Sequence, residues 1–241
     1  MKKKVCFAGK GGVGKSSCII LFLKYIIANF PDSKKLIIDA DPDANILDLL
    51  NESLGLYGTI GGEIIELKKK IDRKEVPPNV SERKLIEETI LKNIKKNREF
   101  DVVKSIIDTL EEIYQFVIID SPAGLEFFSR KTAKDIDDLI LVTDMSKMSF
   151  HTIERLMEIK EEVEAQFQNI WVLVNKYNAN SKAPFIERIE EFSNGEARLL
   201  GFLDYNPEIQ RFYFETKSLL EISKDNPIYQ QAQEVFSSLF N

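Results

Sequence analysis

Short apolar runs separated by helix-prone stretches make up most of this chain. Most of the runs are rich in Val, Ile and Leu and lack polar–apolar alternation, which is typical of strands buried on both faces. Because helical stretches separate them, the order predicts an α/β fold with a doubly wound, mostly parallel sheet and right-handed crossovers. The six predicted strands are Lys4–Ala8, Lys35–Asp39, Phe116–Asp120, Asp138–Val142, Ile170–Val174 and Arg198–Phe202.

The segment from about 51 to 115 departs from this pattern. It is long, charged and helix-prone, and Pro77-Pro78 divides it into two pieces. We interpret it as a helical insertion in a single domain that spans residues 1–241. A solvated insertion and a lid or partner surface beside a ligand site both fit its composition. With 241 residues, 44% of them hydrophobic, the chain can bury a sizeable core in one such domain.

A glycine-rich loop follows the first strand and has the spacing G-x-x-x-x-G-K-S. It precedes a predicted helix, Ser16–Asn29, with an apolar stripe that includes Ile19, Leu23 and Ile26. Strand, loop and helix in this order are the context of a phosphate-binding loop, in which backbone N–H groups surround a phosphate and the serine hydroxyl binds Mg²⁺. The predicted nucleotide contacts are Gly9, Lys10, Gly11, Gly12, Val13, Gly14, Lys15, Ser16 and Ser17.

Polar residues end three of the predicted strands, at the sheet edge where ligands of such folds bind. Asp39 and Asp120 are candidates for the shell of a Mg²⁺ ion, Asp120 as the acidic residue that ends a Walker B strand. Asn175 carries an amide with donors and an acceptor that suit the adenine edge, and Lys176 follows it. The guanine-reading pattern N-K-x-D is absent, because Asn178 stands at its last position. The sequence therefore favours ATP over GTP.

The second lysine of the loop, Lys10, resembles that of the "deviant" P-loop ATPases of the MinD/ParA/nitrogenase-iron-protein group. In that group the matching lysine reaches across an ATP-sandwiched dimer to the partner's phosphates. Residues 39–45 resemble the group's switch I and residues 121–124 its switch II. The resemblance implies that Asp41 positions the attacking water and, with Ser16, Asp39 and Asp120, surrounds Mg²⁺. It also places Gly124 near the γ-phosphate, and makes Lys10, Lys15 and Asp41 the catalytic residues.

Residues 199–207 resemble the group's adenine loop, which implies base contacts at Asn206 and Pro207. Three simpler roles remain open alternatives. Lys10 fits a solvated loop lysine, Asp41 fits a helix-capping residue, and Asn206 fits a turn residue before proline.

Within this group the chain most resembles CooC, the accessory ATPases of nickel insertion into carbon monoxide dehydrogenase. The similarity rests on residues 39–45, 123–133, 174–176 and 207–209. CooC proteins carry a C-x-C pair that holds metal between two protomers, whereas this chain has only two cysteines, Cys6 and Cys18. Thiolate coordination of nickel at such an interface is therefore not expected.

Three functions remain possible for an ATPase of this kind: metallocentre maturation, spatial organisation as in MinD and ParA, and an ATP-switched regulatory scaffold. Expected partners are ATP, Mg²⁺, a second copy when ATP is bound, and a client protein. A net charge of −6 argues against a broad nucleic-acid footprint. No apolar run approaches the length of a membrane span. Residues 226–241 lack lysine and arginine, which argues against binding to anionic membranes. The few cysteines suit a reducing cytoplasm.

Overall fold

The structure is a computed structural model. The structure describes residues 1–39, 46, 49–51, 95–96, 101–103, 114–121, 136–162, 167–178 and 182–240. These residues form one eight-stranded sheet in the order β3-β4-β2-β5-β1-β6-β7-β8. The strands are β1 (Lys3–Ala8), β2 (Lys35–Asp39), β3 (Lys95–Lys96), β4 (Asp101–Val103), β5 (Phe116–Asp120), β6 (Ile136–Thr143), β7 (Phe167–Tyr177) and β8 (Ala197–Asp204).

All six predicted strands are present and pair in parallel with their neighbours. The first strand, β1, lies between β5 on one side and β6 on the other. The strand order therefore turns around at β1, and the glycine-rich loop emerges at that switch point. This confirms the prediction of a doubly wound, mostly parallel α/β fold.

Helices cover both faces of the sheet. They are α1 (Lys15–Asn29), α2 (Lys147–Glu162), α3 (Ala183–Ser193), α4 (Pro207–Phe214) and α5 (Pro227–Ser237), with short 3-10 turns at Leu219–Glu221 and Ser238–Phe240. Alternate residues of β1 divide between two cores: Val5 and Phe7 pack with α1 and α5, whereas Cys6 and Ala8 pack with α2 and α3. Burial on both faces explains why the strand shows no polar–apolar alternation.

Helix α1 differs from its prediction in one respect. The sequence predicts an apolar stripe, but every side chain from Ser17 to Leu23 is buried. The helix is enclosed because α5 packs against it from outside, with Phe236 5.0 Å from Phe22 between ring centroids. A helix between a sheet and a second helix has only a narrow exposed strip, so apolar residues are favoured nearly all round it.

The segment 51–115 requires a correction. The sequence predicts helices there, yet β3 and β4 lie within it, and β4 pairs in parallel with Leu36–Ile38 of β2. These strands cover an edge that β2 would otherwise expose, and at two and three residues they are too short to show a periodic pattern. Most of the segment lies outside the described residues, so the helical insertion itself stays a prediction.

Two asparagine–proline pairs begin the last two helices. Asn206 accepts from the N–H of Glu208 (2.9 Å) and Asn226 accepts from the N–H of Ile228 (3.0 Å), so each caps a helix whose first residue is proline. The apolar side chains of α5 are buried against α1, among them Ile228, Tyr229 and Phe236. In the described part of the chain, every helix is too short or too polar to cross a bilayer.

Candidate functional site

The glycine-rich loop makes its tightest contacts at its two ends. A Cβ at Gly9 would lie 2.2 Å from the Val142 carbonyl oxygen, because the loop leaves β1 directly alongside β6. At Gly14 the backbone is left-handed (φ +86°), and a Cβ would lie 2.4 Å from Asn175 Nδ2. Between these ends, Gly11 and Gly12 are exposed. The loop is thus held at its ends and presents its middle to solvent.

The lysine and serine at the end of the loop both contact the last residue of β5. Lys15 Nζ forms an ion pair with Asp120 Oδ1, and Ser16 Oγ donates to Asp120 Oδ2 (3.0 Å). Lys15 is 6% exposed and Asp120 fully buried. In a setting of low dielectric constant, these charges interact more strongly than a surface pair. The predicted phosphate-binding lysine and the predicted metal-binding aspartate therefore meet at one point.

A second buried carboxylate lies beside this pair. Asp39 ends β2 as Asp120 ends β5, and the two are partners in the strand register. Asp39 is only 2% exposed. Together with Ser16 these residues offer oxygen atoms alone, which are the donors that Mg²⁺ prefers. Within the described ranges no three His, Cys, Asp or Glu side chains form a cluster that could hold a metal ion by themselves.

The buried thiol of Cys6 lies close enough to this site to feel its charges. Burial has the largest effect and raises the pKa of the Cys6 thiol, the Asp120 carboxylate raises it further, and Lys15 lowers it. The Cys18 thiol, on the other face of the sheet, has a pKa raised by burial to about 12. Both cysteines are free and buried. They serve as small apolar residues of the core.

Asn175 and Lys176, at the end of β7, both bind the glycine-rich loop. Asn175 Nδ2 donates to the Val13 carbonyl (2.8 Å) and Lys176 Nζ donates to the Gly12 carbonyl (2.7 Å). These bonds fix two successive carbonyl groups of the loop and so restrain its backbone. The sequence suggests an adenine contact for Asn175. The structure adds this loop-bracing role, and the adenine contact stays a prediction.

The remaining predicted residues divide into three groups. Asn206 and Pro207 form the capped start of α4, so the turn role left open for Asn206 is present in the structure. Lys10 is half-buried in the loop, where its carbonyl accepts from the N–H of Val13 (3.4 Å). Asp41 and Gly124 lie outside the described residues, and their roles stay predictions.

One contact near the loop involves a residue that sequence reasoning missed. The Tyr213 hydroxyl of α4 lies 3.3 Å from Ser17 Oγ in the first turn of α1. Nothing in the local sequence distinguishes Tyr213 from other surface tyrosines. Only the packing of α4 beside α1 brings the two hydroxyl groups together.

Comparison with known proteins agrees with this geometry. The AAA_31 family, described as an AAA domain, matches residues 1–172, which include the loop, β5 and β6. The chain belongs to the AAA_31 family. This AAA_31 chain is 30% identical over 262 residues to the ATP-binding protein MJ0685 of Methanocaldococcus jannaschii, and the match covers 98% of each.

Two further matches place the AAA_31 chain among its relatives. The carbon monoxide dehydrogenase accessory protein CooC of Rhodospirillum rubrum is 23% identical over 240 residues, covering 86% of this chain and 85% of that protein. The MinD cell division protein of Aquifex aeolicus has the same fold, with a TM-score of 0.68, 18% identity and coverage of 99% and 97%. The prediction of a MinD/ParA-like P-loop ATPase related to CooC is confirmed.

Proposed function

We propose that this protein binds ATP and hydrolyses it with Mg²⁺, and that it acts as a dimeric switch. The observation that carries the proposal is the meeting of Lys15, Ser16 and Asp120 beneath a glycine-rich loop at the carboxyl edge of the sheet. The similarity to an ATP-binding protein of M. jannaschii along the whole chain supports ATP as the ligand.

The contacts of Lys15 indicate how nucleotide binding changes the site. Phosphate oxygens compete with Asp120 for the Lys15 ammonium group, since both carry negative charge. When Lys15 turns towards the phosphates, the Asp120 carboxylate can offer its oxygen atoms to the metal together with Ser16 and Asp39. When bound there, Mg²⁺ supplies positive charge that offsets the charge of the transferring phosphoryl group.

The roles of Lys10, Asp41 and Gly124 in the proposal come from the family resemblance. Lys10 supplies its positive charge to the phosphates of the ATP bound to a second copy of the chain, as an arginine finger does in other nucleotide hydrolases. The exposure of Gly11 and Gly12 beside it supports access by that copy. Asp41 positions the attacking water and Gly124 responds to the γ-phosphate.

The decisive test is the Lys10→Ala variant. We expect it to bind ATP as the wild type does, because Lys15 still holds the phosphates of the nucleotide in its own protomer. It should lose both ATP-dependent dimerisation and turnover, because Lys10 no longer reaches the nucleotide of the second copy. Binding would be measured by calorimetry, the oligomeric state by light scattering with ATP and with ADP, and turnover by phosphate release. Lys224→Ala, which removes an exposed lysine far along the chain, is the matched control. Wild-type turnover by Lys10→Ala would overturn the dimeric mechanism.

For the biological role we propose an accessory function in metallocentre maturation, which the similarity to CooC supports. The alternatives are a spatial-organisation ATPase, which the similarity to MinD supports equally, and an ATP-switched regulatory scaffold. The two cysteines of the chain are buried on opposite faces of the sheet, so a metal site built from surface thiolates is not part of the proposal.

The three roles differ in the client that the ATP-bound form retains. We would immobilise Asp41→Ala, in which slowed hydrolysis should preserve the ATP-bound form, and compare proteins retained with ATP and with ADP. Retention of a metalloenzyme or its assembly factor with ATP alone supports maturation. Retention of DNA, membranes or a cell-division protein supports spatial organisation, and a regulatory protein supports the scaffold. We also expect no tight nickel site, and equilibrium dialysis that found one tightly bound Ni²⁺ per dimer would contradict that expectation.

A further inference from the structure

Tyr213 reaches the helix that follows the glycine-rich loop from 196 residues further along the chain. Its hydroxyl lies 3.3 Å from Ser17 Oγ. Ser17 is 6% exposed, whereas Tyr213 is 46% exposed. At the first turn of α1, the contact therefore joins the hydroxyl of a buried residue, Ser17, to the hydroxyl of a partly exposed residue of α4, Tyr213.

Helix α4 is held firmly enough to place this phenol. Asn206 caps its start and bonds to Asn226, the cap of α5, through Asn206 Nδ2 (3.3 Å). Phe212 is buried in the core that contains α1 and α5. At the other end, the N–H of Lys217 donates to the Phe212 carbonyl (3.1 Å). Tyr213 thus follows an anchored residue on a short, doubly fastened helix.

The place of Ser17 indicates which part of a nucleotide comes there. The helical ladder of α1 begins where the N–H of Cys18 donates to the Gly14 carbonyl (3.0 Å), so the N–H groups of Lys15, Ser16 and Ser17 lie in the first turn. In a loop with this spacing the lysine, here Lys15, reaches the β- and γ-phosphates, and the serine, here Ser16, binds the metal. Helix α4 follows β8, at the side of the site where the base is expected. In a nucleotide, the α-phosphate lies between the base with its ribose and the β- and γ-phosphates. A side chain between Lys15 and the expected base position would therefore face the α-phosphate.

We infer that Tyr213, together with Ser17, binds the α-phosphate of the nucleotide. The inference rests on the proposed nucleotide-binding function and adds to it a residue outside the phosphate-binding loop. The phenol donates to an α-phosphate oxygen while Ser17 holds its orientation. Because every nucleoside di- and triphosphate has an α-phosphate, Tyr213 contributes affinity without selecting the base or the number of phosphates.

The test is the affinity of Tyr213→Phe for ADP, ATP and GTP, measured by calorimetry. Loss of one hydrogen bond to a charged oxygen should lower the affinity for ADP and for ATP by the same factor, about tenfold. The affinity for GTP should fall by that same factor. Tyr213→Ala should lose at least as much. Phe214→Ala removes the next side chain of α4, which is 88% exposed, and should stay within about twofold of wild type.

A double-mutant cycle with Ser17→Ala separates a shared site from two independent effects. If both hydroxyls serve one phosphate, the loss in Ser17→Ala/Tyr213→Phe is smaller than the product of the single losses. Thermal unfolding without nucleotide would show that each variant folds.

Two outcomes would overturn the inference while leaving the proposed function intact. One is wild-type ADP affinity in both Tyr213→Phe and Tyr213→Ala. The other is a changed ATP-to-GTP ratio in Tyr213→Phe, which would make Tyr213 a base contact. A wild-type protein that binds neither ADP nor ATP would instead overturn the proposed function, and the inference with it.

Discussion

Two lysine–aspartate pairs lie at opposite ends of the same sheet and differ in what surrounds them. Lys3 and Asp138, at the amino ends of β1 and β6, are 2.9 Å apart, with side chains 15% and 1% exposed. Lys15 and Asp120, at the carboxyl end, are 6% and 0% exposed. By charge and burial alone the two pairs are nearly equivalent.

The Lys3 pair is enclosed by groups of the fold itself. Asp138 Oδ1 also accepts from Trp171 Nε1 (2.7 Å), and the Lys3 ammonium lies 4.8 Å from the centre of the Phe240 ring and donates to the Leu239 carbonyl. Its contacts thus tie the sheet to the last turn of the described chain. The Lys15 pair instead lies under the glycine-rich loop, where a Cβ added at Gly11 or Gly12 would meet no heavy atom of the described residues within 4 Å. A buried ion pair therefore indicates a ligand site only when the surrounding backbone leaves room for a ligand.

The largest expected effect comes from Lys15→Ala. Without this ammonium group the phosphates lose their strongest charged donor, and we expect ATP affinity to fall by at least about a hundredfold. Calorimetry with ATP and ADP would measure the loss, after urea unfolding has established that the variant folds. Unchanged affinity would show that the pair is structural, like that of Lys3.

Lys3→Ala is the matched control at the other end of the sheet. It leaves the buried Asp138 carboxylate without its cation, so we expect the free energy of unfolding to fall by roughly 1–3 kcal/mol. ATP affinity should stay within about twofold of wild type, because the Lys3 pair lies at the opposite end of the sheet from the glycine-rich loop. A large loss of ATP affinity in Lys3→Ala would contradict the conclusion that only the Lys15 pair belongs to a ligand site.

Two glycines of the loop sharpen the comparison between crowded and open backbone. Gly12 and Gly14 both have φ +86°. Of these two, a Cβ would meet another group among the residues that the structure describes only at Gly14, where Asn175 Nδ2 lies at 2.4 Å. Alanine at either position costs about 1–2 kcal/mol of backbone strain. Gly14→Ala must also displace the amide that binds Val13, so we expect it to lose about tenfold more ATP affinity than Gly12→Ala, measured by the same calorimetry. Equal losses would contradict a bracing role for Asn175.

The smallest expected effect concerns the pH dependence of stability. Burial raises the pKa of the Cys18 thiol from 9.0 to about 12, so the folded protein holds this proton more tightly than the unfolded chain. The resulting stability is fully present below pH 9 and is lost as pH rises from 9 towards 12. In urea unfolding at a series of alkaline pH values, wild type should lose stability more steeply than Cys18→Ala, by up to about 1.4 kcal/mol per pH unit. Parallel curves would contradict the raised pKa.

The sequence was sufficient to predict the parallel strands and the loop that joins β1 to α1. Long apolar runs and a G-x-x-x-x-G-K-S spacing are local patterns, and each is read without knowledge of distant residues. Residues 95–96 and 101–103 were missed because their strands depend on an edge of β2 rather than on their own composition. The sequence of α1 predicts a striped helix rather than an enclosed one because the helix that covers it, α5, begins only at Pro227.

At the candidate site, the chain determined the kinds of groups and the fold determined their partners. Sequence alone marked Gly9, Lys15, Ser16, Asp39 and Asp120 as chemically suited to phosphate and Mg²⁺, since glycine, lysine, hydroxyl and carboxylate groups at those spacings have few other uses. Only the tertiary structure brought Lys15 onto Asp120, turned Asn175 and Lys176 towards the loop, and set Tyr213 beside Ser17. Such pairings depend on strand order and helix packing, which sum many weak contacts between distant segments and therefore leave no local signal in the chain.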